Sequence, residues 1–355
     1  MASAKYAKDQ PTGFTNRIER VAIIGVRADL PTAREKFTNA SQAGGRQGSH
    51  MTEQLLKTGR HTVTALTRAS SEAKLPPGVK IEQVDYEDED SIASALTGQQ
   101  ALVITLAHGV DIEVHHRIVR AAGKAGVSHI VPNVYAANFV VNNQGSVDDF
   151  FPAAPLRLLV AEIERVGVSS WTVLVGSVWF DYSFPGGPNF LGFDIKGRQV
   201  TFFDQGTAKM NMTTWAQYAR SLAALLSLKQ LPEDENDASP TVSQFGNQPL
   251  YVSSFFVSQR DIFEALQDAT GTTDADWAIA YEATKDRMAE GKAAAATGDF
   301  TGHIRTYYSF LLSPEGQKLN YEDKLHNNLL GLPNEDLVEV VKDCVTKAEN
   351  GYSPF

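Results

Sequence analysis

The residues of this chain whose types and spacing bear on chemistry begin with four glycines. Gly25 closes the apolar run Val21-Ala22-Ile23-Ile24, and Gly44-Gly45-Arg46-Gln47-Gly48 opens a helix that continues to Lys57. Between them stands Val26–Gln42, a polar and irregular stretch of 17 residues. Without that stretch the chain reads V-A-I-I-G-A-G-G-R-Q-G-S-H-M: strand, glycine turn, helix. In such a turn the first glycine permits a tight bend and the middle one lets the backbone approach a pyrophosphate. The last lets helix and strand pack closely, while the free N–H groups of the helix N-terminus face the anion. The chemistry is phosphate recognition in a dinucleotide.

The interruption needs its own account, because a first βα loop usually runs about 2–6 residues. A Val codon begins with GT, a Gln codon can end in AG, and Thr38-Asn39 can be encoded as ACTAAC, which resembles a branch point. Val26–Gln42 therefore reads as a retained short intron of fungal type, with a true surface insertion as the rival reading. A long loop adds little closure entropy, so the fold is expected to survive. The phosphate turn is the part at risk, since Gly25 is separated from Gly45 and Gly48.

Further candidates lie where later strands should end. Arg68 follows Thr62–Thr67; an arginine there accommodates a 2′-phosphate, where an acidic residue would bind a ribose hydroxyl, so NADP(H) is expected over NAD. Arg46 adds a second positive charge inside the turn. Asp85 and Tyr86 end the third strand, where the adenine belongs, with ordinary turn chemistry as the alternative. Thr105, Leu106 and Ala107 end the fourth, beside the expected nicotinamide ribose, and Asn133, Val134 and Tyr135 end the fifth. Tyr135 is a weak candidate proton donor, its hydroxyl being expected to bond the backbone if buried.

The elements that position these residues alternate. A helix Ser49–Lys57 closes at Gly59; strands are expected at Thr62–Thr67 and Val79–Val84. A helix capped at Asp90-Ser91 runs to Leu96, a strand spans Ala101–Leu106, and a helix runs from Val110 to Ala125. Strand His129–Val131, helix Pro155–Val166 and strand Trp171–Val175 follow. Apolar runs without polar alternation indicate strands covered on both faces. The expected class is α/β: a Rossmann-like, doubly wound parallel sheet with a smaller C-terminal α+β lobe. Its parts are a flexible N-terminus (1–19), the NADP-binding domain (20–176, carrying the 26–42 insertion) and a substrate-binding lobe (177–355) that partly returns to the sheet.

A net charge of −10 argues against a nucleic-acid or anionic-membrane partner. Cys344 is the only cysteine, so no intrachain disulfide forms. No apolar run has membrane-spanning length and the first 20 residues lack a signal-type apolar core, so a cytoplasmic location is expected. His108, His115 and His116 lack the spacing of a metal site, and no metal is expected. Tyr281-x-x-x-Lys285 lies past the sheet and is assigned no role. The sequon Asn211-Met212-Thr213 is expected to be silent.

The glycine motif, T-A-L-T-R at 64–68, V-D-Y-E-D-E-D-S at 84–91 and H-I-V-P-N-V-Y at 129–135 resemble the NmrA-like and isoflavone-reductase-like family of atypical short-chain dehydrogenases. F-F-V-S-Q-R-D at 255–261, T-D-A-D-W at 273–277 and L-L-G-L-P-N-E-D-L at 329–337 resemble its fungal members. The resemblance spans nearly the whole chain outside Val26–Gln42. It implies an NADP(H)-binding domain with a small substrate lobe. It also implies either hydride-transfer reduction of a small organic, often aromatic, molecule or a non-catalytic dinucleotide sensor that binds a protein partner. The aromatic residues of Trp179–Phe184 and Phe255-Phe256 suit a planar substrate. One departure stands out: the family's reductases use a lysine near the start of the helix at 152–165, and here that helix has only Arg157 as an early cation.

Overall fold

Residues 5–25, 42–68, 75–107, 110–136, 138, 154–352 and 354 are described in the structure, a computed structural model; the segment 26–41, His108 and the side chain of Arg46 lie outside them. Strands β1 (Arg20–Ile24), β2 (Thr62–Thr67), β3 (Lys80–Gln83), β4 (Ala101–Ile104), β5 (His129–Val131), β6 (Tyr135–Ala136) and β7 (Ser170–Val175) alternate with helices α1 (Gln42–Lys57), α2 (Glu89–Leu96), α3 (Ile112–Ala125) and α4 (Ala154–Val166). The sheet order runs β3-β2-β1-β4-β5-β7, and every pairing along it is parallel. β6 resumes the line of β5 beyond Pro132 and pairs with the same edge of β7.

Strand pleating explains why the apolar runs are unbroken. Successive side chains point to opposite faces, and both faces are covered. From β1, Val21 and Ile23 pack with Val63, Ala65, Val103 and with Met51 and Leu55 of α1. Ala22 and Ile24 pack with Leu66, Leu102, Ile104 and, on α2 to α4, Ile92, Ile118 and Ile163. β3 is the exception, exposed along its whole length as an edge strand whose Lys80 and Glu82 discourage pairing with another chain.

Beyond β7 come β8 (Val178–Trp179), α5 (Phe180–Ser183), β9 (Phe193–Asp194), β10 (Gln199–Phe203), β11 (Lys209–Thr213) and α6 (Trp215–Leu226). Then follow β12 (Gln248–Tyr251), β13 (Phe255–Ser258), α7 (Gln259–Thr270), β14 (Ala278–Glu282), α8 (Thr284–Ala296), α9 (Phe300–Leu311) and α10 (Leu337–Glu349). α6 lies beside α1 and β12 pairs in parallel with β7, so this part of the chain returns to complete a seven-strand parallel order. The remaining strands make two small sheets, β14-β10-β9 and β13-β11-β8.

Several boundaries differ from the sequence reading. α2 starts earlier, because the Asp88 carboxylate, rather than Asp90-Ser91, accepts from the N–H groups of Asp90 and Ser91. α3 starts at Ile112 under an Asp111 cap and stops at Gly126, whose φ of 72° ends the helix. β3 is shorter than Val79–Val84 and β4 ends at Ile104, two residues before Leu106. The N-terminal stretch is fastened from Ala7 onward: Ala7 N–H donates to Pro232 O at 2.8 Å, Leu231 N–H to Asn16 Oδ1 at 2.8 Å and Gln230 Nε2 to Thr15 O at 2.8 Å. The acidic 232–237 loop that receives it is itself tied by Lys229 to Asp237 at 3.0 Å. Cys344 is fully buried, and burial pushes its thiol up to about 12. None of the described helices is long and apolar enough to cross a membrane.

Candidate functional site

The site begins where β1 stops. Gly25 has φ +90°, in the region that favours glycine, and a Cβ there would lie 2.4 Å from the carbonyl oxygen of Thr105. Only a residue without a side chain fits this junction of β1 and β4. α1 starts at Gln42, so Gly44, Gly45 and Gly48 fall inside its first two turns, whereas the sequence reading began the helix at Ser49 after a glycine turn. Gln47 has no exposed surface, and among the described residues neither its amide oxygen nor its amide nitrogen has a hydrogen-bond partner. The Gln47 amide, unpartnered among the described residues, and the N-terminus of α1 beyond Gly25 fit the phosphates of a dinucleotide.

Arg68 follows β2 and is exposed. Tyr86, just past β3, turns its half-buried phenol toward the backbone of Gly25 and the charge of Arg68; burial pushes that phenol up to about 12 against both influences. Arg117 Nη1 donates to the Tyr86 carbonyl at 2.7 Å and pairs with Glu87 at 3.1 Å, fixing the turn. The Asp85 carboxylate accepts the Glu87 N–H at 2.9 Å, which is the turn chemistry weighed as the alternative to ligand contact. Arg68, Tyr86 and Gly25 are thus gathered at one rim of the sheet.

The middle of the rim is built by backbone. Thr105 gives both its N–H and its hydroxyl to Ile24 O, each at 2.9 Å, which locks the end of β4 to β1. Asn133 Nδ2 donates to Leu106 O at 3.1 Å. Tyr135 donates its hydroxyl to Ile104 O at 2.9 Å and meets the ring of Tyr218 edge-on at 6.2 Å. Its proton is engaged by backbone, and burial drives its acidity far below the ordinary phenol range. The carbonyl-bonded state anticipated for a buried Tyr135 is the one found. Gly25, Arg68, Tyr86, Thr105, Leu106 and Asn133 all converge at the carboxyl ends of the parallel strands, where ligands bind in open α/β sheets.

Sequence reasoning missed what covers this rim. Asp181, 8% exposed, accepts the Trp215 N–H at 3.2 Å at the start of α6. Burial raises its carboxyl to about 6, opposed by the Lys347 charge. Thr214 before an apolar helix was a legible cap signal; that α1, α5, α6 and α10 would meet there was not. Of the aromatic residues singled out for a planar substrate, Phe180, Phe184 and Phe255 form core: Phe180 lies 5.4 Å from Phe184 and 5.3 Å from Phe255, all buried. Tyr281 is exposed on β14, away from this rim. Asn211 is buried and its amide donates to Ser253 and Glu322, so the sequon is sealed inside the protein. Among the described residues no cluster of metal-ligating side chains occurs.

Residues 43–152 match the NAD(P)H-binding family model, so the chain carries an NAD(P)H-binding domain. The match begins at Ala43, the first residue after Val26–Gln42. The chain is 27% identical over 306 residues to the oxidoreductase aprR of Aspergillus flavus, covering 84% of this chain and 95% of that protein. It shares its fold with AtPrR2 bound to NADP+ and (+)pinoresinol (TM-score 0.67, 16% identity, 93% of this chain and 100% of that one). It shares it equally with isoflavone reductase (TM-score 0.64, 17% identity, 92% and 99%).

Proposed function

We propose that this chain, an NAD(P)H-binding protein on the fold of the isoflavone-reductase-like proteins, is an NADP(H)-dependent reductase of a small, oxygen-bearing aromatic molecule. The observation that carries the reading is the gathering of Gly25, Gln47, Arg68 and Tyr86 at one end of the parallel sheet, on a chain similar to reductases along most of its length. The bound dinucleotide would supply a hydride. Arg68 and the first turns of α1 hold its phosphates, and the Thr105–Leu106–Asn133 backbone rim orients its reactive end. With Tyr135 donating to Ile104 O and no lysine in α4, we assign the proton delivered after hydride transfer to water.

The test is NADPH oxidation against a panel of quinones, enones and lignan-type phenols, alongside calorimetry with NADPH and NADH. Tight, NADPH-selective binding with no oxidation of any panel member would overturn the reductase reading. It would leave a dinucleotide sensor with a protein partner, which the lysine-free α4 favours. The single, buried Cys344 supports placing the protein in a reducing, cytoplasmic setting.

Val26–Gln42 remains, in our reading, a translated short intron. The start of the family match at Ala43 supports this, as does the glycine spacing restored by joining Gly25 to Ala43. A chain lacking residues 26–42 is expected to bind NADPH at least tenfold more tightly than the full chain, about 1.4 kcal/mol. Equal affinities, or transcripts that mostly retain these codons, would overturn it.

A further inference from the structure

The turn that follows β3 carries Tyr86 in the run Asp85-Tyr86-Glu87-Asp88, and several of its bonds are local. The Asp85 N–H donates to Ser91 Oγ at 3.2 Å, the Asp85 carboxylate accepts the Glu87 N–H at 2.9 Å, and the Asp88 N–H donates to Asp85 O at 3.2 Å. The Tyr86 carbonyl is held from elsewhere. Arg117, in the second turn of α3, donates to it through Nη1 at 2.7 Å, and the same nitrogen lies 3.1 Å from the Glu87 carboxylate. One guanidinium nitrogen thus fixes the peptide plane after Tyr86 and offsets the charge beside it.

Arg117 belongs to a basic stripe on α3. Arg120 and Lys124 continue it and pair with Glu89 at 3.0 and 2.8 Å, and Lys124 reaches Asp90 at 3.1 Å. Those two cations, 30% and 52% exposed, hold the first turn of α2 by ion pairs of a kind that contribute little. Arg117 differs in two ways. Its side chain is only 17% exposed, and it grips the backbone of the one residue in the turn whose ring faces the rim. Tyr86 packs against the core that includes Ile24, Leu66 and Val84 and turns its phenol toward the Gly25 backbone and the Arg68 charge. A side chain's direction follows from its backbone, so a Tyr86 peptide released from Arg117 swings the phenol away from both groups.

We propose that Arg117 is a positioning residue for the adenosine end of the dinucleotide: by holding the Tyr86 carbonyl and Glu87, it sets the Tyr86 ring against Gly25 and Arg68. The inference rests on the dinucleotide reading of this rim and adds to it a residue that acts on the nucleotide only through Tyr86.

The test uses the full chain and adenosine 2′,5′-bisphosphate, the adenosine end of NADP without the nicotinamide. Calorimetry reads affinity and thermal melting reads the fold. Arg117→Met is expected to weaken the bisphosphate and NADPH by the same factor, about tenfold, the worth of one charge-assisted hydrogen bond. Arg117→Lys keeps the charge and a donor and should bind within about threefold of the parent. Arg120→Met breaks the neighbouring ion pairs but leaves Tyr86 held, and should change neither affinity by more than about twofold. Tyr86→Leu alone should match the loss in Arg117→Met. Adding Arg117→Met to it should cost less than about twofold more, because a residue acting through Tyr86 has nothing left to position. Should Arg117→Met not fold, Arg117→Gln keeps a donor without the charge and should lose about threefold. The proposal is overturned if these Arg117 variants bind as the parent does, if Tyr86→Leu alone has no effect, if the two single losses add in full, or if Arg120→Met loses as much. Each of those outcomes leaves the rim reading standing. A parent chain that binds neither NADPH nor the bisphosphate would overturn the rim reading itself, and this inference with it.

Discussion

Gly25 and Thr105 stand so close that a single methyl group on Gly25 would sit 2.4 Å from the Thr105 carbonyl oxygen. Thr105 is in turn pinned to Ile24 by two hydrogen bonds to one carbonyl, so it cannot retreat without opening β1 from β4. Gly25→Ala thus faces a clash and a positive φ together. It should cost about 2 kcal/mol or more of stability and lower NADPH affinity, read by thermal melting and cofactor titration. A variant that melts and binds like the parent would refute the assignment of Gly25 as the first glycine of the turn.

Arg68 is exposed, follows β2 and lies near Tyr86, and among the described residues it makes no hydrogen bond or ion pair. Arg68→Ala should weaken NADPH by about 10- to 100-fold, the worth of a charge-assisted hydrogen-bonded phosphate contact. NADH binding should barely change. Equal losses for the two nucleotides would place Arg68 away from the 2′-phosphate.

Tyr135 donates to Ile104 O and so is predicted to be structural. Tyr135→Phe should destabilise by about 1 kcal/mol and leave kcat within about threefold. A general acid would lose about 100-fold or more, and a drop of that size would restore Tyr135 as the proton donor.

Asp181 gives a pH signature. Its folded carboxyl titrates at about 6, against an ordinary 3.8, because burial disfavours the charge. A raised folded value means the group is most favourable below the unfolded value and loses that contribution as pH rises through the folded one. Lys347 opposes the shift and Glu335 adds to it. Relative to Asp181→Asn, the parent should therefore lose roughly 3 kcal/mol between about pH 4 and pH 6.5. Denaturant unfolding of both proteins across that range measures it, and parallel stability curves would show that Asp181 titrates normally.

The fold and one rim of the site were written locally. Val21–Ile24, Ala101–Ile104 and Trp171–Val175 are apolar on both pleat faces, and that pattern alone demands a sheet covered twice, with its ligand at the strand ends. Gly25 and Arg68 could be placed because each immediately follows such a strand. Boundaries were less legible. Asp88 rather than Asp90 caps α2, a choice between neighbouring carboxylates that depends on where the chain enters the helix.

What the sequence by itself determined, then, is the order of strands and helices and the residues at strand ends, since burial periodicity and end position are properties of neighbours in the chain. Only the tertiary structure decided which of the neighbouring aromatic residues Trp179, Phe180 and Tyr182 became core and which stayed half-buried. It alone brought His50 and Lys347 to the Trp215 ring. Residues of one hydrophobic type, one position apart, read alike in sequence; closure of α1, α6 and α10 over the end of β7 separates them, because burial is set by what packs against a residue from elsewhere in the chain.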